Sequence, residues 1–470
     1  MFRPVAALLC AAVLGACDDG LTDFNVNPNE PVNVPAQYLF ANATEAAANR
    51  INGAYLNMDI VGLWVQHYAE HLYSTEDRYE LTDAAVAGHW NNFYSGPLQD
   101  LQEVIEQGES DGRANVVAVG TIVKSWVFQV VTDLWGDVGY SEALRGRATD
   151  ALEVNYDAQQ SIYNDLLVQL AAATAAIQPA GVKITTGDLL YNGDMVRWQK
   201  FSNSLRMRVA MRLSDADLNR ARTEFAAAVA AGAFTSNSDN ARVQYFDDGV
   251  NVHPIYGYER SRDDHAISAT LVDTLKALGD PRLPLYAKPN SFGEYKGVQN
   301  GNTDSPPLNQ VSRIGTYFSK ADAQAVIMSY AEVLFLQAEA AERGWIGGSA
   351  GDLYRQGITA AMSLMGISQA AITVYLEQDA VEYKGGQAGL RQIWLQKWIA
   401  LFGNGPEAYA EWRRTGTPEL LPGPDALNDG RIPVRLPYPA VETALNKTAV
   451  DAAVARQGGA GFNDRVWWHR

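Results

Sequence analysis

Tyr330-Ala331-Glu332-Val333-Leu334-Phe335-Leu336-Gln337-Ala338-Glu339-Ala340 is the stretch from which the fold reads outward. Tyr330, Val333, Leu334, Ala338 and Ala341 recur at spacings of three and four, one stripe of a helix. The alanines on that stripe leave room for a second helix to approach closely. Glu332 and Glu339 stand in this apolar setting, where an unpaired carboxylate is costly. They therefore call for cations from elsewhere in the chain, and Arg206, Arg208, Arg413 and Arg414 are the candidates, read as paired scaffold charges.

The same periodicity recurs on either side. Tyr156 to Ile177 places Ile162, Tyr163, Leu166, Leu167 and Leu170 on one stripe, and Leu390, Ile393, Trp394, Trp398 and Leu401 form another. Ala36 to Asn49, Met58 to Tyr73, Asn115 to Leu134, Trp198 to Leu213 and Asp217 to Ala231 read as further helices. The expectation is a mostly α fold, with paired helices stacked as tetratricopeptide-like helix hairpins, although no clean 34-residue repeat is visible. Residues 232–319 lose the apolar period and gain Gly, Asn, Asp, Ser and Pro. They read as a loop-rich insertion with a few short strands and helices, and such long irregular segments are often functional. Thr415 to Tyr438 is a second one. Nothing inside residues 36–470 reads as a free linker, so one body is expected.

The first residues read differently. Arg3 precedes an apolar run from Val5 to Leu14, which is too short to span a bilayer and reads as a secretory signal over residues 1–16. Leu14-Gly15-Ala16-Cys17 has the form cut by bacterial lipoprotein signal peptidase, which implies that Cys17 becomes the acylated N-terminus. Several acyl chains on one cysteine anchor a protein firmly. Residues 17–35, rich in Asp, Asn and Pro, then read as a tether, and Asp18 and Asp19 stand where a sorting signal would. Cys10 leaves with the signal, so no disulfide is expected in the body.

The formal charge of −17 argues against nucleic acid, which requires clustered Lys and Arg. It suits a neutral ligand better. With 11 Trp, 22 Tyr and 14 Phe, some rings fall in polar, turn-rich stretches where burial explains them poorly. Flat rings stack on the apolar C–H faces of sugars while polar groups bind the hydroxyls.

Four segments carry a resemblance. The first is Asp133-Leu134-Trp135-Gly136-Asp137-Val138-Gly139-Tyr140. The second is Asp188 through Gly193 followed by Trp198 to Arg208. The third is the opening stretch with Gly344-Trp345 behind it. The fourth is Gln396 to Phe402, then Glu411-Trp412-Arg413-Arg414-Thr415-Gly416, Ile432 to Pro439 and Arg465-Val466-Trp467-Trp468. In this order, behind a lipoprotein signal, the chain resembles the SusD/RagB family of outer-membrane nutrient-binding lipoproteins. It departs at Gly139, where the family usually has Pro. The resemblance implies a SusD-like helical fold, an outer-membrane, lipid-anchored location at the cell surface, and a SusC-like TonB-dependent barrel as partner. It also implies that an oligosaccharide is bound and delivered without catalysis and without a cofactor; some relatives handle peptides instead. The family's ligand contacts lie in loops that vary with substrate.

The ligand residues are therefore sought in loops. Tyr73 to Tyr94 offers Tyr73, Arg78, Tyr79, Trp90, Asn91 and Tyr94, with Trp90 placed to stack on a ring and Arg78 and Asn91 to bind hydroxyls. Tyr245 to Arg262 adds Tyr256 and Tyr258, with His253, and Tyr295 lies in a third stretch. A competing motif is His67-Tyr68-Ala69-Glu70-His71, an H-x-x-E-H pattern. On a helix it would set two histidines on one face for Zn²⁺ with Glu70 as general base, and Glu142 as a downstream third ligand. That is the rival reading, a surface zinc peptidase. Gly347-Gly348-Ser349-Ala350-Gly351 matches a nucleophile elbow but follows a helix where a strand is needed, so it reads as a turn. Asp247-Asp248-Gly249 lacks the alternating acids of a calcium loop and reads likewise.

Overall fold

Helices joined by short turns carry most of the chain in the computed structural model, which describes residues 34–145 and 153–469. The signal, Cys17 and residues 18–33 of the tether lie outside the described residues. The longer helices are α1 Ala36–Asn52, α2 Asp83–Phe93, α3 Gln99–Ser110, α4 Ala114–Trp135, α5 Gln159–Ala176, α6 Met195–Arg212, α7 Leu218–Ala231, α8 Ala269–Ala277, α9 Tyr330–Glu342, α10 Ala350–Leu364, α11 Gln369–Leu376, α12 Gly386–Ala400, α13 Gly405–Thr415 and α14 Lys447–Gln457. From α3 to α7 each packs on the next, the helix-hairpin stacking expected of the sequence; α9 packs on α10 and α12, and α6 touches α9 to join the two halves. α4 is long and apolar enough to cross a bilayer, but it is mostly buried inside the body. Gly136 closes it at φ 80°, a conformation that favours glycine, with its N–H donated to the Thr132 carbonyl.

The opening stretch forms α9, capped by the Ser329 side chain, which accepts from Glu332 N–H. Its two carboxylates find two of the four expected cations. Arg208 forks onto Glu332 with two bonds of 2.7 Å, and Arg414 does the same to Glu339. Arg206 instead pairs with Glu224 on α7. Arg413 takes no carboxylate: it donates to the carbonyls of Asp133 and Val434 and lies 4.0 Å over the Tyr409 ring. Arg212, Lys397, Glu407 and Glu411 complete the buried network. Among the described residues each of these charges but that of Arg413 has an opposite partner, which is the condition for burying it.

One helix is corrected. Met58 to Tyr73 does not run as one helix: a π-helical run, Ala54–Val61, gives way to a single α-helical turn, Gly62–Trp64, and Gln66 at φ 57° ends it. The chain then enters strand β1, Tyr68–Glu70. The apolar residues here are buried on every side, so the helical stripe was a continuous buried run; tertiary pairing decided its conformation. β1 pairs antiparallel with β5, His265–Ile267, from the insertion, with Tyr68 opposite Ile267 and Glu70 opposite His265. Two further small antiparallel pairs join β2 Val138–Gly139 to β3 Tyr156–Asp157, and β4 Ala241–Gln244 to β6 Gln324–Met328.

Candidate functional site

The β1–β5 pairing brings the two sequence stretches of interest together. Past β1, the N–H groups of His71 and Leu72 both donate to the Asp264 carbonyl, which ties the start of one loop to the end of the other. Tyr73 follows at φ 57°, a turn that swings its ring outward, and 72% of the residue is exposed. Arg262 lies 5.8 Å over that ring and 5.4 Å over the ring of Tyr258, and the buried Asp264 carboxylate holds its guanidinium. Tyr256 carries Arg260 over its own ring at 5.8 Å.

Next to this platform, a cleft of about 240 Å³ opens between the end of α1, the π-helical run and α2. Arg50, Tyr55, Asp59, Glu76, His89 and Asn92 line it, and Ala84, Ala85 and Gly88 of α2 keep it open. Tyr55 is 61% exposed, with Arg50 5.8 Å over its ring. Asp59 connects the cleft to the platform, with its Oδ1 3.2 Å from His265 Nε2. His89 is buried and its Nδ1 has no partner. Burial, and then the Arg50 charge, push its pKa down to about 4, so the imidazole is neutral near pH 7. Burial also raises the Glu76 carboxyl. The cleft thus sets hydroxyl donors and acceptors beside exposed rings, the pairing that a sugar requires.

Beneath Tyr73 the loop is pinned from inside. Asp77 N–H donates to the Glu70 carboxyl at 3.1 Å, and Glu70 N–H donates back to the Asp77 carboxyl at 3.2 Å. Asn300 donates to Asp77 Oδ1 at 2.7 Å and to the Tyr68 carbonyl. Burial, with Asp77 beside it, pushes Glu70 up to about 10; burial pushes Asp77 up to about 6.

Several expected ligand residues sit elsewhere. Tyr79 is 2% exposed and Trp90 5%, so neither has a ring face free for stacking. Trp90 lies not in a loop but on α2, hemmed by Tyr94, Trp135, Tyr156 and Tyr438. Aromatic residues at helical spacing turned one face to the core. Arg78 is tied to the Asp425 carbonyl at 3.0 Å. Asn91 is exposed on a second cleft of about 590 Å³, on the other side of α2, where the half-buried Tyr94 bonds the Gly139 carbonyl. His253 is buried as a helix cap and Tyr295 is half-buried. Tyr73, Tyr256 and Tyr258 thus remain on or beside the platform. His89, which lies in the Tyr73 to Tyr94 stretch, lines the cleft; Tyr55, Asp59 and His265 were not singled out, and helix packing and the β1–β5 pairing bring them here.

The zinc motif loses its helix. Its middle residues, Tyr68–Glu70, form β1, and His67 before them is fully buried, with Nε2 3.0 Å from the Trp398 carbonyl, while Glu70 is held by Asp77. No group of three metal-ligating side chains converges among the described residues. Ser349 caps α10 through Asp352 N–H, and Asp248 accepts the N–H groups of Val250 and Asn251 in a turn; both motifs are turn chemistry, as expected.

Residues 28–439 match a family model for SusD-like proteins described as "Starch-binding associating with outer membrane". No curated protein sequence matches the chain. Among solved structures, one described as a chitin-binding protein is 32% identical with a TM-score of 0.85, covering 93% of this chain and all of that one. A SusD homolog from Bacteroides ovatus is 27% identical, with a TM-score of 0.79 over 93% of this chain and 99% of its own. A chitin-binding SusD homolog from Flavobacterium johnsoniae is 25% identical, with a TM-score of 0.81 over 92% and 98%. The family model and the shared helix-hairpin fold agree: the chain belongs to the SusD-like family, described as starch-binding and associated with the outer membrane.

Proposed function

We propose that this protein captures oligosaccharide nutrients at the cell surface and passes them, uncut, to a SusC-like TonB-dependent barrel in the outer membrane. Residues 1–16 direct export, acylated Cys17 anchors the product, and residues 17–35 tether a single body, residues 36–470. The observation that carries the reading is the exposed Tyr73 ring beside Arg262, adjoining a cleft with hydroxyl partners on three sides. A chitin-binding relative at 32% identity makes chito-oligosaccharides the first ligands to try. Capture for hand-over requires release, so a Kd of about 1 μM or weaker, about −8 kcal/mol, is expected.

The test is a binding screen of the mature protein against chito-oligosaccharides, malto-oligosaccharides and peptides, with mass spectrometry of the recovered ligand. A glycan bound and recovered intact supports the proposal. Peptides alone bound, or a glycan cleaved, would overturn it. Replacing Cys17 by Ala should release the protein from the membrane fraction.

A further inference from the structure

The cleft beside the Tyr73 platform carries charge of both signs in two separate places. Arg50 stands by His89, whose pKa burial and then the Arg50 charge lower. Asp59 stands by Glu76, whose pKa burial and then the Asp59 charge raise. Among the described residues no ion pair joins Arg50 to Asp59 or to Glu76. Arg50 is left with the Tyr55 ring, and Asp59 with His265. An ion of either sign would meet its like here: an ammonium would meet Arg50, and a carboxylate would meet Asp59 and Glu76. A neutral amide satisfies both places. It is planar and trans, so its C=O accepts on one side while its N–H donates on the other.

His89 adds an unused partner. It is 6% exposed and lines the cleft from α2, and neither ring nitrogen is hydrogen-bonded among the described residues. A buried polar group left so is costly, and a ligand that bonds it recovers the cost. Much of the remaining lining is small or apolar, Ile60, Leu81, Ala84, Ala85 and Gly88, which suits a methyl group. A side chain added at Gly88 would meet nothing within 4 Å of its Cβ, so the space beside it is open. The cleft's volume of about 240 Å³ lies below the ~300–1,000 Å³ of pockets that enclose a whole small ligand. It fits a substituent whose parent ring stays outside, on Tyr73.

We propose that the cleft takes the 2-acetamido group of one sugar ring, with its methyl against Ala85 and Gly88. Its carbonyl accepts from Arg50 or His89, and its N–H donates to Asp59 or Glu76. The inference rests on the reading of Tyr73 as a glycan platform and names the sugar class preferred there: acetamido over hydroxyl at C2. Gly88 determines that specificity, because a side chain there occupies the space of the methyl. The test is calorimetric titration of the mature full-length protein with tetra-N-acetylchitotetraose and with cellotetraose, which share ring and linkage and differ at C2. The wild type should bind the acetamido sugar about tenfold more tightly, or better. Gly88→Leu should reduce that ratio to below about twofold, and Gly88→Ala to an intermediate value. Both variants put a better helix former inside α2, so neither should lower the melting temperature. Tyr73→Ala should weaken both sugars and keep the ratio. Equal affinity of the wild type for the two sugars, or an unchanged ratio in Gly88→Leu, would overturn the acetamido assignment and leave the platform standing. Binding of neither sugar would overturn both.

Discussion

The Arg262 guanidinium lies 5.8 Å over the Tyr73 ring, although the two residues come from different halves of the chain's sequence. The β1–β5 pairing creates that contact, and with it the only place among the described residues where Tyr73 and Tyr258 share a cation. A cation over an exposed ring contributes about 0.5–1 kcal/mol. It also limits the orientations of the ring.

Arg262→Ala should therefore weaken glycan binding two- to fivefold and, by leaving the buried Asp264 carboxylate without its cation, lower the melting temperature measurably. Calorimetric titration beside a thermal scan checks both. A change in melting without a change in affinity would mean that the pair serves the fold alone.

Arg208→Ala is expected to behave oppositely. It leaves Glu332 buried and unpaired, a loss of about 3–5 kcal/mol. Replacing both residues with apolar side chains of similar volume should recover much of it. Denaturant unfolding of the single and double variants measures the difference. Arg343→Ala, at the half-exposed end of the pair with Glu339, should cost under about 1 kcal/mol.

Acid should unfold the protein through the same network. Burial alone would raise Glu339, Glu407 and Glu411, but Arg414, Arg212, Arg208 and Lys397 outweigh it and hold all three below the usual carboxylate range. Their stabilisation is present above the unfolded value of about 4.3 and is lost as pH falls through the folded values. The melting temperature should drop steeply below about pH 4, and Glu339→Gln should make that drop shallower.

Glu70 carries the opposite sign. Raised to about 10, it favours the folded state most below about pH 4.3, and that contribution disappears as pH rises toward 10. Glu70→Gln keeps a neutral group of the same shape. It should therefore raise the melting temperature relative to wild type at pH 8 and have little effect at pH 4. Thermal scans at the two pH values test this; an equal shift at both would contradict it.

Much of the scaffold was readable because helices announce themselves by local spacing. The Tyr330–Ala341 stripe became α9, and its two carboxylates implied arginine partners, of which Arg208 and Arg414 proved correct. Met58 to Tyr73 misled because a run buried on all sides carries no period that separates helix from strand. Trp90 could be read either as a ring for stacking on sugar or as a core residue of a helix, and the ring turned inward on α2. Tyr55 and Asp59 gave no sign, because a cleft made by α1, the π-helical run and α2 depends on how they pack. Tyr73 was legible as an aromatic in a polar stretch, and it is the one whose exposure survives folding.

Titration of the mature protein and its Tyr73→Ala variant with a chito-oligosaccharide, followed by calorimetry and by mass analysis of the sugar, tests the central claim most directly. The account predicts saturable micromolar binding by the wild type, at least tenfold weaker binding by the variant, equal melting temperatures and an unaltered sugar. Equal affinity in the two proteins, or a shortened sugar, would contradict it.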